Sequence, residues 1–193
     1  HPRIAGVQPV LAADDARWPL LSAGLADLAG RVLPPVTGGD SRAVSVLQGL
    51  QALARHGDGQ DWVMVHDAAR PCLRLGDLDA LIAALDGSDG AILGAPVADT
   101  IKRVADDVIT ATVDRSALWR AFTPQVFRLD PLRTALQAAL DQGMEITDES
   151  SAMEWAGYHP RMVRGHGDNI KITLAEDLPL AAQILASLEE TCA

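Results

Sequence analysis

Lysine is nearly absent: the 193 residues contain only Lys102 and Lys171. Aromatics make up 4% of the chain and there are two cysteines, Cys72 and Cys192. Basic residues number 16 against 26 acidic ones, a formal net charge of −10. That balance excludes a general nucleic-acid binder, which needs a basic surface. One cysteine in the body of the chain and one beside its end make neither a disulfide framework nor a zinc pattern, and they fit a reducing cytoplasm. No apolar run approaches the roughly 18 residues that cross a bilayer, so no membrane partner is expected. No basic-then-apolar signal segment opens the chain. Its first residue is His1, and the expectation is a chain processed, trimmed or incomplete at its front.

What is present suits one sizeable core, since 48% of residues are hydrophobic. The expectation is one domain over residues 1–193. Ile4 to Ala12 reads as a buried strand interrupted by Pro9, Arg17 to Leu28 as a helix, and Arg31 to Val36 as a short edge strand. Ala43, Val46, Leu47, Leu50 and Leu53 fall at helical spacing, with Gly57 as the residue that ends that helix. Asp61 to His66 is a compact apolar strand. Leu78 to Leu85 and Asp130 to Leu140 read as helices and Gly90 to Val97 as a strand. Ile101–Val104 and Val108–Val113 form a hairpin arm, about residues 98–117, turning at Asp106-Asp107. Thr147 to Ala156 is a helix ending at Gly157, and Arg161 to Arg164 a short strand. Thr173 and Glu176 form a capping-box pattern that Pro179 contradicts, so the last helix is kinked or starts later. Alternating strands and helices give an α/β class with a mainly parallel sheet.

Val63-Met-Val-His-Asp-Ala-Ala-Arg-Pro71 is the most informative stretch. A strand delivers Asp67 at its C-terminal end, the edge where open α/β sheets bind ligands. A carboxylate there holds Mg²⁺ while phosphates fill other positions. Ala68 and Ala69 let a ligand approach the backbone, and Arg70 can grip phosphate at two points. The competing reading is a strand-end Asp that caps a turn and pairs with Arg70. Gly38-Gly39-Asp40-Ser41, with Ser45 one turn in, makes room for a nucleotide at a helix N-terminus. The alternative is a glycine turn capped by Asp40 or Ser41. Lys171 stands where an ammonium would neutralise a transferring phosphoryl group, or is a solvated edge lysine. Thr123 and Thr147 offer hydroxyls that bind substrate or cap a turn or helix. Arg115 follows the arm beside Asp114. His66 reads as bland, as do His56, His159 and His166, and the four tryptophans read as core or interface.

In this order, GGDSRAVSV, VHDAARP, APVADTIKR, VDRSALW, TPQVF, ITDESSAMEWAG and NIKIT-x-x-EDL, from Gly38 to Leu178, resemble the 2-C-methyl-D-erythritol 4-phosphate cytidylyltransferase family. The resemblance implies a Rossmann-like nucleotidyltransferase fold whose β-arm clasps a second subunit, and cytidylyl transfer from CTP to a sugar-alcohol phosphate. It implies Asp67 and Lys171 as catalytic residues, with Asp67 on Mg²⁺ or another divalent cation. Arg70, Thr100, Arg115, Thr123 and Thr147 would bind substrate. Gly39, Asp40, Ser45 and Ala68 would bind the nucleotide. Thr100 and Arg115 would reach the partner subunit's site in a homodimer. The family opens with a strand and a glycine-rich loop carrying an Arg and a Pro-Lys pair. Neither stands in this sequence, which implies weak CTP binding and little turnover for the chain without them. Ribitol 5-phosphate cytidylyltransferase and a non-catalytic dimerising relative are the alternatives, and Thr147-Asp148-Glu149-Ser150-Ser151 resembles the methylerythritol enzyme.

Overall fold

The computed structural model describes residues 1–25, 28 and 30–192, with the side chains of 190–192 left aside. Backbone contacts group the chain into two compact units. The first is His1–Val65 with Phe127–Pro160; the second is His66–Val126 with Arg161–Ala193. Each draws on both halves of the chain, so no shift of composition along the sequence marks the division.

In the first unit, β1 (Val10–Leu11) pairs in parallel with β2 (Val36–Thr37), and Val7 bridges Val32. Pro9 breaks this run, as expected, because it has no N–H to donate. The expected first helix is realised as α1 (Trp18–Ala23), with Pro19 in its first turn. Part of that expectation, at Ala26 and Asp27, lies outside the described residues.

Helix α2 (Arg42–Leu53) is N-capped by the Ser41 hydroxyl, which accepts the Val44 N–H at 3.2 Å. It ends at Ala54 in right-handed conformation, so Gly57 is not its left-handed terminator. The next strand, β3, is Trp62–Val65. Helix α3 (Leu75–Ala83) follows in the second unit and starts earlier than its apolar spacing suggests.

Three strands of the second unit lie in the order β7-β4-β8. Here β4 is Gly90–Pro96, β7 is Trp119–Arg128 and β8 is Arg161–Arg164. β4 and β8 are parallel. β7 is the one strand missed in sequence, because Pro124 inside it argues against a strand. Burial of every residue from Phe122 to Phe127 overrides that signal. β5 (Ile101–Ala105) and β6 (Val108–Val113) form the expected antiparallel hairpin. Asp106 and Asp107 have φ of 48° and 61°, the left-handed pair a two-residue hairpin turn requires. Val104, Val108 and Ile109 on this hairpin are more than half exposed.

In the first unit α4 (Leu129–Asp141) packs against α2 and α5 (Glu149–Trp155). Its buried face is Leu129, Leu132, Ala135, Leu136 and Ala139, and Phe127 just before it is fully buried. Burying one such leucine contributes about 1.5–3 kcal/mol. In the second unit α6 (Asp177–Cys192) starts after the expected Thr173 cap. The Asp177 carboxylate instead accepts the Thr173 and Leu174 N–H groups at 2.8 and 2.9 Å, and these bonds lower its pKa. That later start places Pro179 in the first turn, where it costs no helix bond. No helix among the described residues is long and apolar enough to cross a membrane.

The contrast between core and arm is testable by urea denaturation. Leu136→Ala is expected to cost about 2–5 kcal/mol, because it leaves a cavity in the α4 core. Val104→Ala on the exposed hairpin is expected to stay within about 0.5 kcal/mol in the monomer.

Candidate active site

Asp67 follows β3 in a turn closed by the Arg70 N–H to the Asp67 carbonyl at 2.9 Å. Two cations face its single carboxylate. Lys171 Nζ lies 3.0 Å from Asp67 Oδ2, and Arg70 Nε lies 4.0 Å away. The closer partner is thus the distant lysine rather than the neighbouring arginine. In a chain of net charge −10 this is a locally cationic spot.

Thr123 holds the turn from β7. Its hydroxyl accepts the Asp67 N–H at 3.0 Å and lies 3.0 Å from His66 Nδ1. His66 Nε2 lies 3.0 Å from the Arg70 carbonyl, which can only accept. The neutral imidazole with its proton on Nε2 satisfies every group: it donates to Arg70 and accepts from the Thr123 hydroxyl. Partial desolvation of the ring by its surroundings lowers the His66 pKa and favours that neutral form.

Asn169 completes the frame. It is 1% exposed, and its Nδ2 donates to the Thr123 carbonyl at 2.9 Å. Its own carbonyl accepts from Arg70 Nη1 at 2.7 Å. The Ile172 N–H bonds to the Ala69 carbonyl at 2.8 Å. Lys171 is therefore suspended between two anchored residues. The Arg70 guanidinium also lies over the Phe122 ring, 5.1 Å from its centroid.

Of the residues singled out in sequence, the second unit gathers Asp67, Ala68, Arg70, Thr123 and Lys171. Ala68 is exposed beside the carboxylate, as a ligand-facing position requires. The expected position of Thr123 is corrected. It lies within a strand rather than at a turn or helix start, is 4% exposed, and commits its hydroxyl to Asp67 and His66. Arg115 Nη1 donates to the Ala98 carbonyl and so ties off the base of the hairpin, where Thr100 also lies. No sequence signal marks His66 or Asn169 as site residues, because both meet Thr123, which is remote in the chain, and no spacing rule joins them.

The first unit gathers Gly39, Asp40, Ser45 and Thr147. Gly39 has no room for a side chain, since a Cβ there would meet Val44 Cγ1 at 2.2 Å. Ser45 Oγ accepts the Gly39 N–H at 3.1 Å and donates to the Ser41 carbonyl at 2.9 Å, so it braces the glycine turn. Asp40 is exposed at the tip. Thr147 is exposed too, and does not cap its helix. That cap is Asp148, which accepts the Ser151 N–H at 2.9 Å. Arg42 joins the two helix starts through a bidentate pair with buried Glu149, at 2.6 and 3.1 Å.

An α/β fold with a carboxylate, an ammonium and a guanidinium converging on one turn suits the handling of phosphate, and its relatives place it among the nucleotidyltransferases. A solved 4-diphosphocytidyl-2C-methyl-D-erythritol synthase matches with a TM-score of 0.81 at 36% identity, covering 96% of this chain and 84% of the other. The Thermus thermophilus 2-C-methyl-D-erythritol 4-phosphate cytidylyltransferase matches at 0.80 and 28%, with the same coverage. The enzyme of that name from Acidithiobacillus ferrooxidans is 53% identical over 192 residues, 98% of this chain and 81% of the relative. The Aeromonas hydrophila enzyme is 54% identical over 187 residues, 96% of this chain and 73% of the relative. The model of the 2-C-methyl-D-erythritol 4-phosphate cytidylyltransferase family matches residues 8–187, and this chain belongs to that family.

Arg42 is the counter-charge to a carboxylate that is 1% exposed. Burial raises the Glu149 pKa and the arginine opposes that rise. Arg42→Met is expected to cost about 3 kcal/mol near neutral pH, because it strands the carboxylate. Glu149 then keeps its proton in the folded state to higher pH than in the unfolded chain. The deficit should shrink as pH falls toward the unfolded value of about 4.3. Urea melts of both proteins from pH 4 to pH 8 check this (roughly the window the linkage covers).

Proposed function

We propose that this protein transfers the cytidylyl group of CTP to 2-C-methyl-D-erythritol 4-phosphate in isoprenoid precursor synthesis. Membership of the family supports the reaction. The observation that carries the site is the 3.0 Å approach of Lys171 to Asp67. An oxygen of the substrate phosphate attacks the α-phosphorus of CTP. The bond from that phosphorus to the β-bridging oxygen breaks, and pyrophosphate leaves with the electron pair. The product is CDP-methylerythritol. The protein's task is positioning and charge neutralisation rather than covalent chemistry.

Lys171 supplies an ammonium to the charge that gathers on the α-phosphate. Arg70 takes the phosphate of the sugar alcohol. Thr123 acts through the turn that aims Asp67. Gly39, Asp40 and Ser45 shape the cytosine and ribose contacts, Ala68 lets the nucleotide approach, and Thr147 faces substrate.

The donor set fits Mg²⁺, which is bound through one or two carboxylates with phosphates and water completing its octahedron. Asp67 would hold it, and no cluster of three or more His, Cys, Asp or Glu able to cage a metal occurs among the described residues. When bound, the ion would offset charge on the triphosphate.

Homodimerisation through the hairpin is part of the same proposal. The exposed Val104, Val108 and Ile109 support it, as apolar residues on a projecting arm are covered at low cost by a second copy. Arg115 and Thr100 would then serve the partner's site.

In a protein that also carries the family's glycine-rich opening loop, pyrophosphate release with CTP is expected for 2-C-methyl-D-erythritol 4-phosphate and not for ribitol 5-phosphate; the reverse preference would overturn the substrate. Lys171 is 42% exposed, so its ion pair is worth at most about 1 kcal/mol of stability. Its loss in Lys171→Ala should lower kcat by about 10²–10³. Parallel losses of stability and turnover would contradict the role. Mixing Arg115→Ala with Asp67→Ala subunits should recover activity that neither has alone, and failure to recover would remove the shared site.

A further inference from the structure

Four side chains outside the predicted site hold the loop that carries Lys171. Arg74 is the N-cap residue of α3 and Asp77 lies in its first turn. Asp77 is 3% exposed, yet both its oxygens are engaged by one residue of the loop after β8. Oδ1 lies 2.7 Å from His166 Nδ1, and Oδ2 accepts the His166 N–H at 3.1 Å. A carboxylate only accepts, so Nδ1 carries the proton. Two residues on, Arg74 forms an ion pair with Asp168 through Nη2, with Nε 3.4 Å from the second oxygen.

The chain then passes straight into the site. The His166 carbonyl accepts the Asn169 N–H at 3.2 Å. Asn169 is locked to Thr123 and Arg70, and Lys171 is two residues further.

A buried carboxylate is a costly way to fasten a loop, because apolar packing of the same volume is often as stable or more so. What a polar clamp adds is direction: two bonds from one carboxylate to one residue fix both the ring and the backbone of His166. Lysine has a flexible four-carbon stem, so the place of its ammonium depends on the backbone beneath it. We propose that Asp77, seconded by Arg74, is a positioning residue for Lys171, acting through His166 and Asp168. This rests on Lys171 being the group that stabilises transferring charge.

The test is a double-mutant cycle on the intact enzyme, reading kcat and the two KM values. Asp77→Asn keeps the shape and removes the charge. It should lower kcat by about ten- to a hundredfold, the scale of a small misplacement of a reacting group, with the KM for CTP little changed. In a Lys171→Ala background the same change should alter kcat by less than about twofold, because the residue it positions is gone. Equal losses in both backgrounds would overturn the proposal, as would an unchanged kcat in Asp77→Asn. A Lys171→Ala enzyme with full turnover would instead remove the role of Lys171, and the purpose of the clamp with it. Should Asp77→Asn not fold, Arg74→Gln probes the same loop from a part-exposed pair and must show the same dependence on Lys171.

Discussion

The ion pair between Asp67 and Lys171 is the constraint around which the second unit is arranged. Its partners come from segments far apart in sequence, so the fold must hold two backbones in register before the charges meet. It does so with short polar bonds. Thr123 fixes the Asp67 backbone, Asn169 fixes Thr123 and Arg70, and Ile172 closes on Ala69. None of these depends on the ion pair, so the ammonium can leave Asp67 while the frame stays in place.

The frame is neutral where it touches the charges. His66 sits beside Asp67 and Arg70 but serves as an uncharged spacer, donating from Nε2 and accepting at Nδ1. A protonated ring would set a donor against a hydroxyl whose own proton then needs a new acceptor. With the spacer neutral, Arg70 and Lys171 still outnumber the carboxylate, a balance that suits an anionic ligand.

Much of this was legible in sequence where information is local. The Asp106-Asp107 turn, the Ser41 cap and the apolar face of α4 follow from residue types and periods of a few positions. The late start of α6 was signalled by Pro179. β7 combines a run of strand formers with a proline inside it, and burial shows which signal wins. The cap of α5 falls on Asp148 rather than Thr147, one residue along, because the two are chemically eligible alike, and Thr173 gives way to a helix that starts at Asp177. For the site, a strand-end acid with an arginine beside it and the rarity of lysine single out Asp67, Arg70 and Lys171, and the motif resemblance gives them roles. Sequence could not supply His66, Asn169, Asp77 or His166, because each matters through a partner that no spacing rule connects to it.

The scarcity of lysine makes chemical sense beside this geometry. An arginine at 171 would form a planar two-point bond with the Asp67 carboxylate and resist exchange. An ammonium is a compact charge with rotatable donors, able to trade one oxygen for another at nearly constant distance. At 42% exposure, against 13% for Asp67, the lysine is the more accessible member of the pair. A group that must meet charge only as it develops should be held loosely by its resting partner and firmly by its backbone. The bonds on either side of Lys171 provide that division: the stem is free to move, and the loop beneath it is not.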